Sequence, residues 1–199
     1  VFFYDWPYYS QHISEIFKVW HGGLASHGAA VGIIISVWLF SKYVSHKPTL
    51  WALDRVVIVV ALSGLFIRTG NLMNSEIIGI PTDVPWAFIF TRVDAIPRHP
   101  VQLYEAIMYT FIFIFLNHSF WKKNADKKIG WLFGWFLILV FGGRFILEYF
   151  KNSQGGFESS LGLFTTGQWL SIPFTIAGFY FVWKANINYS RMIETSNKA

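Results

Sequence analysis

Six ionisable residues, Arg68, Glu76, Arg98, Glu105, Arg144 and Glu148, lie in or beside stretches apolar enough to cross a membrane. A charge in hydrocarbon costs several kcal/mol unless it is paired or hydrated, so such a group is a functional-site hypothesis by default. Arginine offers a planar, permanently charged fork that suits phosphate oxygens, and carboxylates can orient such forks or move protons. The chemistry that this set suggests is the handling of an anionic, phosphate-bearing group at a membrane boundary.

Four segments carry the candidates. Gly22 to Gly32 surrounds His27 with small residues, and a histidine of near-neutral pKa is the natural proton acceptor of the set. Arg68 to Glu76 places Arg68 and Asn71 three residues apart on one helix face, with Gly70 between them and Asn74 and Glu76 following. Pro97 to Glu105 opens a helix with Pro100 in its first turn, where the missing N–H is not needed, and brings Arg98, His99 and Glu105 to the boundary. Gly142 to Lys151 sets Arg144 and Glu148 four residues apart, where each lowers the other's cost in the bilayer. Each segment also has a plain structural reading. Gly28 and Gly32 have the spacing that lets helices approach closely. A lone histidine is more often hydrogen-bonded structure than catalyst, and Arg144 with Glu148 makes a self-contained pair. The scattered histidines have no metal-ligand spacing, and none of the segments is a phosphate-binding glycine loop.

The elements that must position these residues follow from composition. The chain is 54% hydrophobic and 14% charged, well below the roughly 25% charged residues of soluble domains. It reads as a single integral-membrane domain over residues 1–199, an all-α polytopic bundle of about five spans. A span needs about 20 apolar residues, and the stretches are 24–40, 56–73, 103–121, 129–150 and 167–183. Lysines and arginines gather in alternate connections, at Lys42, Lys47 and Arg55, at Lys122 to Lys128, and after Lys184. The positive-inside rule makes that side cytoplasmic. Arg68 then lies roughly 20 Å above Arg55, and Arg144 roughly 22 Å above Ile129, both in the outer half of the bilayer. The 76–102 connection holds four prolines and an apolar run, Trp86 to Phe90, too short to span and expected at the interface. The chain has no cysteine, so any thiol in the chemistry belongs to a substrate. It opens on Val1 and shows no signal peptide, and it reads as N-terminally truncated.

Taken in order, Gly-Gly-Leu-Ala-Ser-His27-Gly, Arg68-x-Gly70-Asn71-x-x-Asn74-x-Glu76, Pro97-Arg98-His99-Pro100-x-Gln102-Leu103-Tyr104-Glu105 and Gly143-Arg144-Phe145-x-x-Glu148 closely resemble bacterial prolipoprotein diacylglyceryl transferases. The likeness runs from about Trp20 to Trp183. It implies transfer of the diacylglyceryl group of phosphatidylglycerol to the lipobox cysteine of a prolipoprotein signal peptide, with release of glycerol phosphate. It implies no cofactor and no metal. The setting would be the bacterial cytoplasmic membrane, with the site toward the outer leaflet, membrane lipids as neighbours and no nucleic acid.

By that resemblance His27, Arg68, Arg144 and Glu148 are the catalytic candidates. Arg68, Asn71, Asn74, Glu76, Arg98, Glu105 and Arg144 are the substrate-binding ones. The chain departs from many relatives at Ser75, where they carry glycine, and from some at Lys151, where they carry arginine. It lacks a counterpart of the family's preceding span or spans. From a different class, the alternative is a small transporter or ion-conducting subunit, against which stand the absence of an internal repeat and the gathering of charges near one face.

Overall fold

The computed structural model describes residues 26–122, 125–152 and 164–196, together with Gln11, and gives the backbone alone for 26–31, 166 and 196. The chain divides into two units, Val1–Thr49 and Leu50–Ala199. The first holds helix α1, Ser26–Phe40, which runs into a wider turn at Ser41–Ser45 and ends at a left-handed His46. Apolar side chains from Ile33 to Phe40 are exposed around most of α1, as expected of a helix whose solvent is lipid. Lys42 folds its ammonium over the rings of Trp38 and Tyr43, the snorkelling arrangement of a membrane boundary.

Among the described residues, the second unit holds four long helices: α2, Thr49–Asn74; α3, Val101–Lys122; α4, Trp131–Leu147; and α5, Thr166–Ser196. Neighbours run antiparallel. Gly64 of α2 faces Tyr109 of α3, Gly143 of α4 faces Met108, and Gly134 of α4 faces Gly178 of α5. Val57, Ala61, Ile112, Leu116, Leu132 and Val140 form the buried centre. Packing in lipid favours small residues at such crossings. A Cβ on Gly134 would meet the Gly178 carbonyl oxygen, and one on Gly178 the Gly134 carbonyl oxygen. The α4/α5 crossing therefore depends on both glycines.

Among the described residues, each of the five expected stretches lies largely in a helix. Three of these, Thr49–Asn74, Val101–Lys122 and the stretch Trp131–Phe150, are long and apolar enough to cross a membrane. Helix α1 is 15 residues long. Helix α5 extends to 31 residues, but Gln168, Ser171, Pro173 and Thr175 near its start, and the polar residues from Lys184 onward, dilute its apolar character. Helix α2 starts seven residues before the expected Val56, because Asp54 is buried and hydrogen-bonded rather than solvated.

Between α2 and α3 the prolines forbid a helix, since each lacks a backbone donor. The chain instead forms a two-stranded antiparallel ribbon, β1 at Phe88–Ile89 and β2 at Pro97–Arg98, with Phe88 opposite Arg98. Gly79 bridges to Lys151, and Ile80 N donates to the Phe150 carbonyl oxygen at 3.0 Å. This stitches the connection to the end of α4. Trp86, Phe88 and Ile89 are exposed, consistent with an interfacial segment.

Candidate active site

Helix α2 delivers Arg68 and Asn71 near its C-terminal end. Arg68 Nη1 donates to Asn71 Oδ1 at 3.2 Å, and Asn71 Nδ2 donates to Glu76 Oε2 at 2.7 Å. Glu76 stands outside the helix because the chain turns sharply there: Ser75 and Ile77 both adopt left-handed backbone, φ 58° and 54°. Glycine visits that region at no steric cost, whereas a serine or a β-branched isoleucine is strained. This is why glycine suits the Ser75 position. Gln102, fully buried in the first turn of α3, donates from Nε2 to the Glu76 carbonyl oxygen at 2.5 Å and fixes the turn.

Glu105 is the hinge of the charged chain. Its Oε2 lies 3.0 Å from Arg68 Nε and its Oε1 2.8 Å from Lys151 Nζ, with the Glu105 side chain 3% exposed. The Arg68 contact is close but angled, so Oε2 has no aligned hydrogen bond among the described residues. Lys151 Nζ continues to Glu148 Oε2 at 3.6 Å. Arg68, Glu105, Lys151 and Glu148 thus alternate in sign across the ends of three helices, the arrangement by which charges tolerate burial.

Glu148 opens the short turn Glu148–Phe150 that follows α4. Its carboxylate lies against Gly167, in the first turn of α5, so closely that any Cβ there would collide with it. A helix N-terminus favours a neighbouring anion. The start of α5 is set by a reciprocal cap: Gln168 N donates to Thr165 Oγ1 at 3.3 Å, and Thr165 N donates to Gln168 Oε1 at 3.0 Å. Gln168 Nε2 also donates to the Phe145 carbonyl oxygen at 3.2 Å, tying α5 to the end of α4.

Arg144 lies one turn before Glu148 and has no hydrogen-bond or ion-pair partner among the described residues. The ring of Tyr109 lies over Gly64, in space that a side chain would fill. Of the two adjacent glycines, Gly143 leaves room for the Met108 sulfur, while a Cβ on Gly142 would meet nothing within 4 Å. Gly142 lines an apolar cavity of about 790 Å³ between α3 and α4, with Met108, Phe111, Trp135 and Ile138 among its walls. Gly70 likewise has open space beside it.

The structure therefore brings Arg68, Asn71, Glu76, Glu105 and Glu148 into one network. Arg98 is occupied elsewhere: it grips Asp94 through Nε and through Nη2 at 2.6 Å, and Nη1 donates to the Gly79 carbonyl oxygen at 3.3 Å. The guanidinium, assisted by the Ile96 N–H, holds the Asp94 carboxyl below the usual carboxylate range. Asn74 is exposed at the end of α2. His27 falls in the first turn of α1, and its side chain lies outside the described residues. Among the described residues no group of three or more potential metal ligands gathers. Gln102 and Lys151, named in the sequence only within a motif and as a departure from relatives, also belong to the network. Gln102 reads as an ordinary helix residue until the turn opposite it is known.

The chain is similar to known proteins over nearly its whole length. The family model described as prolipoprotein diacylglyceryl transferase matches residues 1–184. A protein of Chloroherpeton thalassium named phosphatidylglycerol–prolipoprotein diacylglyceryl transferase is 49% identical over 98% of this chain and 72% of its own length. One of Tolumonas auensis with the same name is 50% identical over 88% of this chain and 67% of its own length. A third, of Porphyromonas gingivalis, is 42% identical over 93% and 70%. By the extent of these matches, the chain belongs to the prolipoprotein diacylglyceryl transferase family.

Proposed function

We propose that this protein transfers the diacylglyceryl group of phosphatidylglycerol to the thiol of a lipobox cysteine in a prolipoprotein signal peptide, the first step of bacterial lipoprotein maturation. The thiolate attacks the glycerol carbon that carries the phosphate. A C–S bond forms, the C–O bond breaks, and the phosphate oxygen leaves with the electron pair as glycerol phosphate. The thiol, of ordinary pKa about 8.5, first gives up its proton, and His27 is the base assigned to that step. Arg68 and Arg144 stabilise the charge that builds on the phosphate, the kind of preorganised contribution that dominates many enzymes. Glu105 and Glu148 orient these cations, and Asn71, Asn74 and Glu76 receive the headgroup hydroxyls. Arg98 supports the connection that roofs the site.

The observation that carries this reading is the alternation of Arg68, Glu105, Lys151 and Glu148 at the ends of helices apolar enough to cross a membrane. Charge alternation makes that end of the bundle tolerable in hydrocarbon, and the apolar cavity ending at Gly142 supports entry of an acyl chain beside Arg144. The loop cations support an orientation with this end toward the outer leaflet of the cytoplasmic membrane. In liposomes containing phosphatidylglycerol, the full-length protein is expected to add one diacylglyceryl mass to a lipobox peptide. An unshifted peptide, or an equal shift when its cysteine is replaced by serine, overturns the proposal.

A further inference from the structure

Helix α4 begins without a cap of its own. Its N-cap residue is Gly130, left-handed at φ 91° and without a side chain to accept the first free N–H groups. Trp131 N donates to the Lys128 carbonyl oxygen at 2.9 Å, and two further groups are satisfied from another helix. Asp54 of α2 accepts from Gly130 N through Oδ2 at 2.6 Å and from Phe133 N through Oδ1 at 2.8 Å. The carboxylate is 1% exposed, and Leu50, one turn earlier on α2, packs on Gly130. A buried carboxylate persists only when its oxygens are satisfied, and the α4 N-terminus also favours a negative charge. Both oxygens are used here, each on a different residue, so the contact fixes rotation as well as height.

Arg68 is fourteen residues after Asp54, and Arg144 is fourteen residues after Gly130. Helices α2 and α4 both neighbour α3 in antiparallel fashion, so they run in the same direction. At about 1.5 Å per residue, both arginines then lie about 21 Å from the tie and at one depth.

We propose that Asp54 is a positioning residue whose in-trans cap of α4 sets the register of α2 against α4, and so holds Arg68 and Arg144 level for one phosphate group. The arginine roles rest on the function proposed above, whereas the register claim does not. A slip of one residue along either helix separates the two guanidinium groups by about 1.5 Å. Misplacement on the scale of 1 Å can lower turnover about 100-fold.

The test uses the full-length protein in nanodiscs containing phosphatidylglycerol. Spin labels are carried on Met73→Cys and Ile146→Cys, both exposed near the outer ends of α2 and α4. Asp54→Ala is expected to broaden or lengthen the label distance and to lower kcat at least tenfold, with the KM for phosphatidylglycerol changed less than threefold. Asp54→Asn keeps one acceptor oxygen and should fall between Asp54→Ala and wild type in both readouts. Lost turnover at an unchanged distance overturns the proposal, and so do an unchanged distance and an unchanged kcat in Asp54→Ala. If Asp54→Ala does not fold, Asp54→Asn decides by the same criteria, and failure of that conservative variant to fold also counts against register setting. The distance readout is independent of catalysis, so an inactive wild type would sink the functional reading without touching this one.

Discussion

Glu105 Oε2 approaches Arg68 Nε to 3.0 Å while its other oxygen holds Lys151 at 2.8 Å. One nearly buried carboxylate therefore serves two cations. Removing its charge leaves both of them uncompensated, the situation in which a broken buried pair costs about 3–5 kcal/mol. Glu105→Gln should lower the thermal midpoint markedly, and adding Lys151→Met should restore part of the loss. A double-mutant cycle measures the coupling, and strictly additive effects would refute the shared pairing.

Arg144 is assigned directly to the phosphate. Arg144→Ala should reduce kcat by about 100-fold or more, as expected for loss of one preorganised donor, while membrane insertion and thermal stability hold. Arg144→Lys should recover little, since a point charge does not reproduce the fork. Lipidation of a lipobox peptide in liposomes reports this, and wild-type turnover by Arg144→Ala would remove Arg144 from the mechanism.

Gly167 leaves the space that the Glu148 carboxylate occupies. Gly167→Ala forces that carboxylate away from the α5 terminus and from Lys151. Activity should drop at least tenfold, whereas Gly32→Ala on α1, whose Cβ meets nothing within 4 Å, should stay within threefold of wild type. Equal effects of the two substitutions would contradict the assignment.

Ser75 holds a left-handed backbone at φ 58°. Ser75→Gly relieves that strain and should raise stability by about 1 kcal/mol with turnover retained. Differential scanning calorimetry in detergent is the direct check, and a lower midpoint would argue against strain at this turn.

The Asp94 and Arg98 pair gives the connection above the spans a pH dependence. The folded carboxyl lies below its unfolded value, chiefly through the hydrogen bond from Arg98. Its contribution is therefore complete above the unfolded value of about 3.9 and is lost as pH falls through the lowered folded value. Hydrogen exchange of the 88–98 ribbon, taken relative to the intrinsic rate at each pH, should stay flat from pH 7 to 5 and rise in stronger acid. Asp94→Asn should show fast exchange throughout and no such rise.

Helix positions and the charged candidates are legible from the sequence, because hydropathy and the rarity of intramembrane charge are local signals. Arg68 and Asn71 or Arg144 and Glu148 need only helical periodicity to be recognised. The Thr165 and Gln168 cap is also local, a Thr-x-x-Gln signature that the sequence displays. Asp54 is different. Its partners lie 76 and 79 residues away and are backbone groups, so nothing in the residue types around Asp54 distinguishes it from a surface charge beside Arg55. Lys151 reads as a lone cation after a helix until the fold returns Glu105 to it. Gly134 and Gly178 look like helix weaknesses until the two helices cross.

The reciprocal cap at Thr165 and Gln168 gives α5 a start signal of its own, held to Phe145 by one further hydrogen bond. A change in chain length ahead of Thr165 is therefore expected to leave Gly167 in place. That junction is consequently the place to graft an epitope or a reporter while leaving the chemistry undisturbed.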